Sequence, residues 1–425
     1  MKLPALLLLA LSLQSHSQEP IKRFDFGPGA VASGYTQVKP TAVYSAEVGW
    51  GFEPGPEIKG VDRGGDPLTG DYVTCDPNFY FSVALPEGAY RVTVTWVDTY
   101  GTSGTTVKSE LRRLVSENIV APKGGSVKHS FLVHVRRPDI PGGSHVKLKD
   151  REKTNEAWGW DDKLTLEFCG SFSYLASLEI TPAPTVPALH LMGDSTVADQ
   201  PSEPFASWGQ MLPRFFDDQL LVVNHAQSGD SLRSAYGANR LAKVISLLHD
   251  GDYVAIQFGH NDEKDKTPGA GAFTTYKDML KRYVTEIKAA KGRPILITPV
   301  HRRTFGERGQ ITNSHGDYPA AVRQVAEEEK VPLIDLLNLS EKLYESHGGL
   351  GSEVLFAPED RTHHNNFGAY QLAQCVLVGL KEINHPLTKH LVPGLPAFDL
   401  NRRGSTYDLK LRPSKPANAP KPLGN

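Results

Sequence analysis

Neither sign of charge is in excess in this sequence, because 46 lysine and arginine residues nearly balance 48 aspartate and glutamate residues. A protein that binds nucleic acid through its phosphates needs a positive excess, so we expect no nucleic-acid partner. Beyond its N-terminal stretch the sequence also lacks any apolar run approaching the ~20 residues of a bilayer-spanning helix. It therefore predicts a protein without a membrane span.

The N-terminal stretch, residues 1–17, has the pattern of a secretory signal peptide. Lys2 supplies a positive charge, residues 5–13 form an apolar segment, and Ser15-His16-Ser17 resembles a cleavage site. The apolar segment is too short to cross a bilayer. No cysteine follows it directly, which argues against lipid attachment there. We therefore expect an exported, soluble protein that is secreted or periplasmic.

Cysteine is scarce, with three residues in a chain of 425. An exported domain that depended on disulfides would carry many more, so disulfides are not expected to be the main support of the fold. Cys75 and Cys169 lie in the same half of the chain and form a candidate pair. Cys375 lies on a predicted helix and is expected to be a buried free thiol.

Residues 18–183 show strand patterns without a long helical period, which predicts an all-β sandwich domain. The stretch 90–96 alternates apolar and polar side chains, as a half-buried strand does. The stretch 81–85 alternates in the same way into a turn at 86–88, so the two strands are predicted to form a hairpin. The proline-rich segment 182–187 is interpreted as a linker, because proline interrupts a strand and stiffens a connection.

Strands alternate with amphipathic helices over residues 187–390, the second predicted domain. Continuous apolar strands separated by such helices indicate a parallel sheet covered on both faces. The predicted strands are 189–192, 220–223, 253–258, 295–298 and 333–335. A long helix is predicted over 367–384. The proline-rich tail, 391–425, is expected to be partly ordered at best.

A serine at the end of the first strand of this second domain is the leading candidate nucleophile. Gly193 permits a tight turn, so the Ser195 hydroxyl can stand clear of the sheet at the edge where ligands bind. The tripeptide Gly-Asp-Ser recurs at residues 229–231. Ser195 follows its strand at once, whereas the second copy lies several residues past its strand. The loop that contains this second copy is well placed to provide the backbone N–H of Gly229 as a hydrogen-bond donor.

Two further segments contain groups that a serine nucleophile needs. Asn261 follows the third strand and can aim its amide at the same crevice, where N–H donors stabilise developing negative charge. Capping of a helix is the alternative role of this asparagine. Asp360 lies three residues before His363, so its carboxylate can reach Nδ1 and leave Nε2 free to accept a proton. His364 is the rival base, but its neighbouring position is expected to point elsewhere.

These segments resemble the SGNH (GDSL-type) hydrolase superfamily, and within it the rhamnogalacturonan acetylesterases and related carbohydrate deacetylases. The resemblance covers about 187–384 and implies a flavodoxin-like sheet. It also implies Ser195 as nucleophile, His363 as general base and Asp360 as the carboxylate that orients it. The implied oxyanion hole consists of the N–H groups of Ser195 and Gly229 and the Asn261 amide. The matching motifs are Gly193-Asp194-Ser195-Thr196, Trp208-Gly209-Gln210, Asn224-His225-Ala226, Gln257-Phe258-Gly259-His260-Asn261-Asp262 and Asp360-x-Thr362-His363.

The N-terminal half resembles the galactose-binding-like jelly-roll modules that are appended to polysaccharide-degrading enzymes. Such modules often hold sugars with exposed aromatic side chains, for which Trp50, Trp158 and Trp160 are candidates. Burial in the core is the favoured interpretation of these tryptophans, and the domain equally suits a packing or spacer role. The motifs are Phe24-Asp25-Phe26-Gly27, Gly49-Trp50-Gly51-Phe52 and Leu85-Pro86-Glu87-Gly88-x-Tyr90.

One position departs from the superfamily pattern. Where this chain has Gly-Asp-Ser at residues 229–231, the pattern usually reads Gly-Arg-Ser. This chain has Asp230 in place of the cation, which leaves the Gly229 N–H unaffected but puts an anion at the expected rim of the site. Pectin backbones are acidic, and three arginines are candidates to compensate, with solvent-exposed surface positions as an equal alternative: Arg233, Arg302 and Arg303. The candidate substrate-binding residues are Asp194, Trp208, Arg302 and Arg303.

The resemblance and the leader together imply an exported carbohydrate esterase that uses a Ser-His-Asp acyl-enzyme mechanism. Its expected partner is an acetylated plant cell-wall polysaccharide or oligosaccharide, most of all acetylated rhamnogalacturonan. We expect no metal site and no cofactor, because the histidines show no zinc-ligand spacing. Two alternatives stay open. One is an SGNH lipase or thioesterase acting on other acyl esters, and the other is a non-catalytic carbohydrate-binding protein on a hydrolase fold.

Overall fold

A computed structural model describes residues 22–101, 104–170 and 172–414. The predicted leader, residues 1–17, lies outside these ranges, as does the end of the tail from 415 onward. Among the helices in the described ranges, none combines the length and the apolarity that a membrane crossing requires.

The N-terminal part consists of two β-sheets that face each other, which confirms the predicted all-β domain. The first sheet has the order β10-β7-β14-β1-β2, with β5 paired to β14 and β4 paired to β5. The second has the order β3-β6-β13-β8-β9, and β11 and β12 form a separate ribbon. The strands are β1 (Lys22–Phe26), β2 (Thr36–Val38), β3 (Trp50–Phe52), β4 (Lys59–Asp62), β5 (Asp71–Thr74), β6 (Asn78–Ala84), β7 (Gly88–Val97), β8 (Thr105–Ser109), β9 (Arg113–Ile119), β10 (Ser126–Val135), β11 (Asp139–Ile140), β12 (Ser144–His145), β13 (Lys163–Cys169) and β14 (Leu175–Pro182).

Phenylalanines from alternate positions of facing strands fill the space between the two sheets. The Phe81 ring of the second sheet lies 5.3 Å from Phe24 and 5.0 Å from Phe26, which both belong to the first. Phe52 completes the cluster at 5.4 Å from Phe81. Each such ring contributes about 1.5–3 kcal/mol through its burial. The alternation of apolar residues therefore positions the core of this domain.

The predicted hairpin between the stretches 81–85 and 90–96 is wrong. Strand β6 pairs with β3 and β13, whereas β7 pairs with β10 and β14, so the two strands belong to different sheets. The turn between them carries the chain across the sandwich, and the Tyr90 hydroxyl donates to the Pro86 carbonyl at 2.9 Å across this corner. An alternating pattern shows that a strand has one buried face but does not show which strand it pairs with.

The second part is a five-stranded parallel sheet with helices on both faces, as predicted. Its strand order is β16-β15-β17-β18-β19, the order of a flavodoxin-like sheet. The strands are β15 (Ala188–Gly193), β16 (Leu221–Asn224), β17 (Tyr253–Gln257), β18 (Arg293–Ile297) and β19 (Leu333–Ile334). The helices are α1 (Trp208–Met211), α2 (Leu232–Gly237), α3 (Arg240–Leu247), α4 (Lys277–Ala289), α5 (Tyr318–Glu329), α6 (Leu336–His347) and α7 (Asn366–Glu382).

This sheet separates two hydrophobic cores. Leu191 of β15 points into one core and the adjacent Met192 into the other. In the second core, Leu280, Val284 and Ile287 of α4 are buried at the helical spacing seen in the sequence. Strand β15 lies between β16 and β17, where the order of the strands reverses. Ligands bind at such a switch point, beyond the carboxyl ends of the strands.

The described part of the tail packs against both halves of the chain, more fully than expected. Ser414 Oγ accepts from Lys108 Nζ at 2.6 Å and donates to Glu167 Oε2 at 2.8 Å, and both partners are buried in the N-terminal sandwich. The Ser414 backbone N–H donates to Glu203 Oε1 of the second half at 2.7 Å. These polar contacts were missed because the tail carries no strand or helix period.

All three cysteines are buried free thiols. The candidate pair Cys75 and Cys169 is therefore unbonded here, and apolar packing holds the sandwich. Cys375 lies on α7, where burial raises the pKa of its thiol well above the usual range. This is the inert, buried thiol that the sequence predicted for Cys375.

Candidate active site

Ser195 lies just beyond β15, on a turn that only glycine permits. A Cβ on Gly193 would lie 2.5 Å from Val197 Cγ2 and 2.7 Å from the Gln257 carbonyl oxygen. The Asp194 carboxylate then accepts from the backbone N–H of Thr196 at 2.9 Å, which closes the turn. These contacts place the Ser195 side chain at the carboxyl edge of the parallel sheet.

A continuous hydrogen-bonded chain joins Ser195, His363 and Asp360. His363 Nε2 lies 2.9 Å from Ser195 Oγ, and His363 Nδ1 lies 3.0 Å from Asp360 Oδ2. Asp360 Oδ1 accepts the backbone N–H groups of Thr362 and His363 at 2.7 and 2.9 Å. Both oxygens of this carboxylate are thus engaged within one turn. The arrangement can transfer a proton from the serine to the imidazole while the carboxylate holds the ring.

The surroundings of Asp360 keep its carboxyl group ionised. Burial opposes ionisation, but hydrogen bonds from His363 Nδ1 and from two backbone N–H groups outweigh it, so the pKa of Asp360 lies well below its usual range. The negative charge therefore persists at any pH at which an esterase works. A permanent carboxylate beside Nδ1 favours the tautomer whose Nε2 faces Ser195 without a proton.

Three N–H donors lie near the serine in the loops that follow β15, β16 and β17. The backbone N–H groups of Ser195 and Gly229 donate no hydrogen bond within the described part of the chain. Gly229 has a φ of 80°, a left-handed conformation that favours glycine. Asn261 Nδ2 donates one of its two hydrogens to the Asp230 carbonyl at 2.9 Å. The role of these three donors as an oxyanion hole stays a prediction.

Asp230 is buried rather than placed at the rim, which corrects the expectation drawn from its negative charge. Its side chain is 1% exposed and pairs with Arg240 at 2.6 Å and with Lys149 at 2.7 Å. Two cations therefore surround the anion that replaces the usual arginine. The charge of this residue is balanced inside the protein and does not face a substrate.

The second Gly-Asp-Ser copy serves as a helix cap. Ser231 is the N-cap of α2, and its Oγ accepts from the Ser234 backbone N–H at 3.1 Å. The rival histidine is also occupied elsewhere. His364 Nε2 lies 2.7 Å from the Tyr344 hydroxyl, and burial lowers the pKa of His364 to about 3. Neither Ser231 nor His364 contacts the Ser195 site.

The four candidate substrate-binding residues make internal contacts instead. Asp194 and Trp208 are fully buried, and Trp208 Nε1 donates to Gln257 Oε1 at 2.8 Å. Arg302 pairs with Glu263 at 2.6 Å, and Arg303 donates to the Gly349 carbonyl at 3.1 Å. These contacts support the loops around the site. Asp194 and Trp208 do not reach its surface, whereas substrate contact by the partly exposed Arg302 and Arg303 stays a prediction. Arg233 is exposed, as the alternative interpretation held.

The N-terminal domain contributes contacts that sequence patterns did not reveal. Lys149 Nζ donates to the Ser228 carbonyl at 2.7 Å, and Glu156 Oε2 accepts from Gln227 Nε2 at 2.9 Å. These two residues hold the loop that carries Gly229. No local signal marks a charged residue in one domain as the partner of a loop some 70 positions away, so only the folded chain shows them.

Within the described residues, no group of three or more histidine, cysteine, aspartate or glutamate side chains is arranged to hold a metal ion. The polar groups gathered at Ser195 are a hydroxyl, an imidazole, a carboxylate and N–H donors. This set is suited to acyl transfer through a serine.

The chain consists of an all-β domain followed by a flavodoxin-like sheet that carries Ser195, His363 and Asp360 at its carboxyl edge. This combination defines a two-domain SGNH hydrolase. The chain belongs to the GDSL-like Lipase/Acylhydrolase family, whose pattern matches residues 191–369. Residues 22–114 match the Beta-agarase/YXIM esterase-like, galactose-binding domain-like family. Both resemblances noted in the sequence are thereby confirmed, and the protein is a carboxylic ester hydrolase.

Three relatives from Bacillus subtilis (strain 168) illustrate this membership. Rhamnogalacturonan acetylesterase RhgT is 37% identical over 48% of this chain and 93% of its own length. Probable rhamnogalacturonan acetylesterase YesY is 33% identical over 48% of this chain and 97% of its own length. Uncharacterized esterase YxiM is 28% identical over 86% of this chain and 92% of its own length, so this similarity extends over both domains.

Proposed function

We propose that this protein is an exported esterase that removes acetyl groups from plant cell-wall polysaccharide, with acetylated rhamnogalacturonan as its main substrate. The observation that carries the proposal is the Ser195–His363–Asp360 chain, with its contacts of 2.9 and 3.0 Å. The names of two relatives, Rhamnogalacturonan acetylesterase RhgT and Probable rhamnogalacturonan acetylesterase YesY, support the choice of substrate. The predicted leader at residues 1–17 supports export, since a polymer is degraded outside the cell.

In the proposed mechanism, the Ser195 hydroxyl attacks the acetyl carbonyl while His363 Nε2 takes its proton. The negative charge that develops on the carbonyl oxygen is held by the N–H groups of Ser195 and Gly229 and by the Asn261 amide. As the bond to the sugar oxygen breaks, the His363 imidazolium gives its proton to that oxygen, so the sugar leaves as a hydroxyl and an acetyl-serine remains. A water molecule, deprotonated by the same imidazole, attacks this ester and releases acetate.

The substrate is tested by measuring acetate release from acetylated rhamnogalacturonan, acetylated homogalacturonan and acetylated xylan at matched acetyl content. We expect a kcat/KM at least about tenfold higher on rhamnogalacturonan than on the other two polymers. Equal rates on all three polymers, or faster release from xylan, would refute the choice of substrate.

The acyl group is tested in parallel with 4-nitrophenyl acetate and 4-nitrophenyl octanoate. Ser195 and His363 are almost fully buried, and the Phe205 ring lies 6.2 Å from the His363 ring, so we propose a small acyl pocket. We expect the acetate to react faster. Preference for the octanoate would favour the lipase-like alternative.

Lys149 offers a test of the proposed oxyanion loop. Lys149→Met removes the hydrogen bond to the Ser228 carbonyl and one of the two cations beside Asp230. We expect kcat for 4-nitrophenyl acetate to fall about tenfold with a small change in KM, because the Gly229 N–H is less firmly placed. Lys147→Met, a change at an exposed position two residues earlier, is the matched control. Equal activity of the two variants would show that Lys149 does not position the loop.

A further inference from the structure

A cavity of about 330 Å³ lies between the N-terminal domain and the catalytic domain. It lies within the size range of small-molecule sites, roughly 300–1,000 Å³. The N-terminal domain supplies most of its wall, and Pro201 of the catalytic domain supplies the rest. The N-terminal residues are Tyr80, Glu110, Leu111, Arg112, Thr154, Asn155, Ala157 and Trp158.

Of the three tryptophans singled out in the sequence, Trp158 lines this cavity. It is half-buried, and its ring packs on Tyr80 with centroids 5.2 Å apart. Trp160 is 8% exposed and donates through Nε1 to Glu152, and Trp50 packs against Phe24 in the sandwich core. Trp160 is thus a core residue, as the favoured interpretation held, and Trp50 is partly buried against the sandwich core, whereas Trp158 offers an aromatic surface at the cavity.

Glu110 adds a buried polar group to the same wall. Its side chain is 7% exposed overall, and Oε1 has no hydrogen-bond partner in the described part of the protein. Glu110 and Arg112 also adopt φ values of 54° and 60°, which are unfavourable for residues other than glycine. Such strain concentrates at functional sites, where the surrounding structure maintains it.

The walls of the cavity are connected to the loops of the active site. The Arg112 guanidinium donates to the carbonyls of Gln200 and Phe205, both at 3.1 Å. Gln200 Nε2 in turn donates to the Ser195 carbonyl at 2.8 Å. Glu156, the residue after Asn155 of the cavity wall, accepts from Gln227 beside the Gly229 loop. A ligand in this cavity therefore lies beside the segments that hold the reacting groups.

We propose that this cavity is a sugar-binding subsite for the polysaccharide chain that carries the acetyl ester, an inference that rests on the proposed function. The Trp158 ring, which lines the cavity, meets the apolar C–H face of a pyranose. Asn155 at the exposed edge supplies a further polar contact. The subsite is shared by both domains, so the N-terminal domain acts as part of the active site and not as a separate binding module.

The test compares two substrates in the full-length protein. For Trp158→Ala, we expect KM on acetylated rhamnogalacturonan oligosaccharides to rise about tenfold, because a stacked ring is lost. The kcat/KM on 4-nitrophenyl acetate, which carries no sugar to occupy the cavity, stays within about twofold. Tyr100→Ala, an exposed aromatic of the same domain outside the cavity wall, is the matched control.

Binding is measured separately, by calorimetry with de-esterified rhamnogalacturonan oligosaccharides and the Ser195→Ala protein. We expect the added Trp158→Ala change to weaken binding about tenfold and Tyr100→Ala to leave it unchanged. No binding by the Ser195→Ala protein, or binding that Trp158→Ala leaves unchanged, overturns the subsite. Equal losses on both ester substrates for Trp158→Ala overturn it too, since they would show a structural role. Oligosaccharide binding without acetate release by the wild-type protein would instead refute the proposed function and leave the subsite supported.

Discussion

Ser195→Ala is expected to lower kcat for 4-nitrophenyl acetate by about 10⁵-fold, the largest effect we predict for a single change. The Ser195 hydroxyl lies 2.9 Å from His363 Nε2, and alanine removes the atom that would form the acyl-enzyme. The N–H donors at Ser195 and Gly229 stay in place, so a small residual rate above the uncatalysed reaction is expected. The measurement is a burst and steady-state assay on the purified variant.

Ser231→Ala is the matched control, because it changes the same tripeptide in its second copy. Ser231 caps α2 through its Oγ, so its loss is expected to reduce stability by about 1 kcal/mol while kcat stays near that of the wild type. If Ser231→Ala were inactive and Ser195→Ala active, the assignment of the nucleophile would be reversed.

Asp360→Asn is expected to lower kcat by about 10⁴-fold with little change in KM. Asp360 Oδ1 accepts two backbone N–H groups, so the oxygen of an asparagine would keep that position and its NH₂ would face His363 Nδ1. The NH₂ would donate to Nδ1 and leave the proton on Nε2. His363 could then no longer accept a proton from Ser195. The pH–rate profiles of kcat for the two proteins provide the measurement.

Asp217→Asn is a suitable comparison for this change. Asp217 lies 3.6 Å from His390 Nδ1, in another aspartate–histidine pair that has no contact with Ser195. We expect this variant to retain full activity. A kcat for Asp360→Asn above about one tenth of the wild-type value would show that the carboxylate does not set the tautomer of His363.

The position of Asp230 shows how the two domains have adapted to each other. The superfamily pattern that the sequence resembles has a cation at this position, whereas here Asp230 is buried between Arg240 and Lys149. Arg240 also pairs with Glu152 of the N-terminal domain at 2.7 Å. A buried charge is tolerated only when opposite charges compensate it, so the exchange is accommodated by contacts that cross the domain boundary.

The sequence by itself determined the elements and the local chemistry of this protein. The strands of the parallel sheet read as apolar runs, and helices such as α4 showed their 3.6-residue period, because burial depends on side-chain type and spacing. The candidate groups after β15 and β17, Ser195 and Asn261, could be predicted because parallel strands bring their carboxyl ends to the same edge of the sheet. The pairing of Asp360 with His363 was predictable because three residues fit within one turn.

Only the tertiary structure decided which of these elements meet. It separated β6 and β7 into different sheets and placed Asp230 inside the protein. It turned the candidate residues Arg302 and Arg303 into supports of neighbouring loops, and it brought Lys149 to the loop of Gly229. Each of these outcomes depends on contacts between residues far apart in sequence, whose formation is set by the packing of whole faces and not by local pattern.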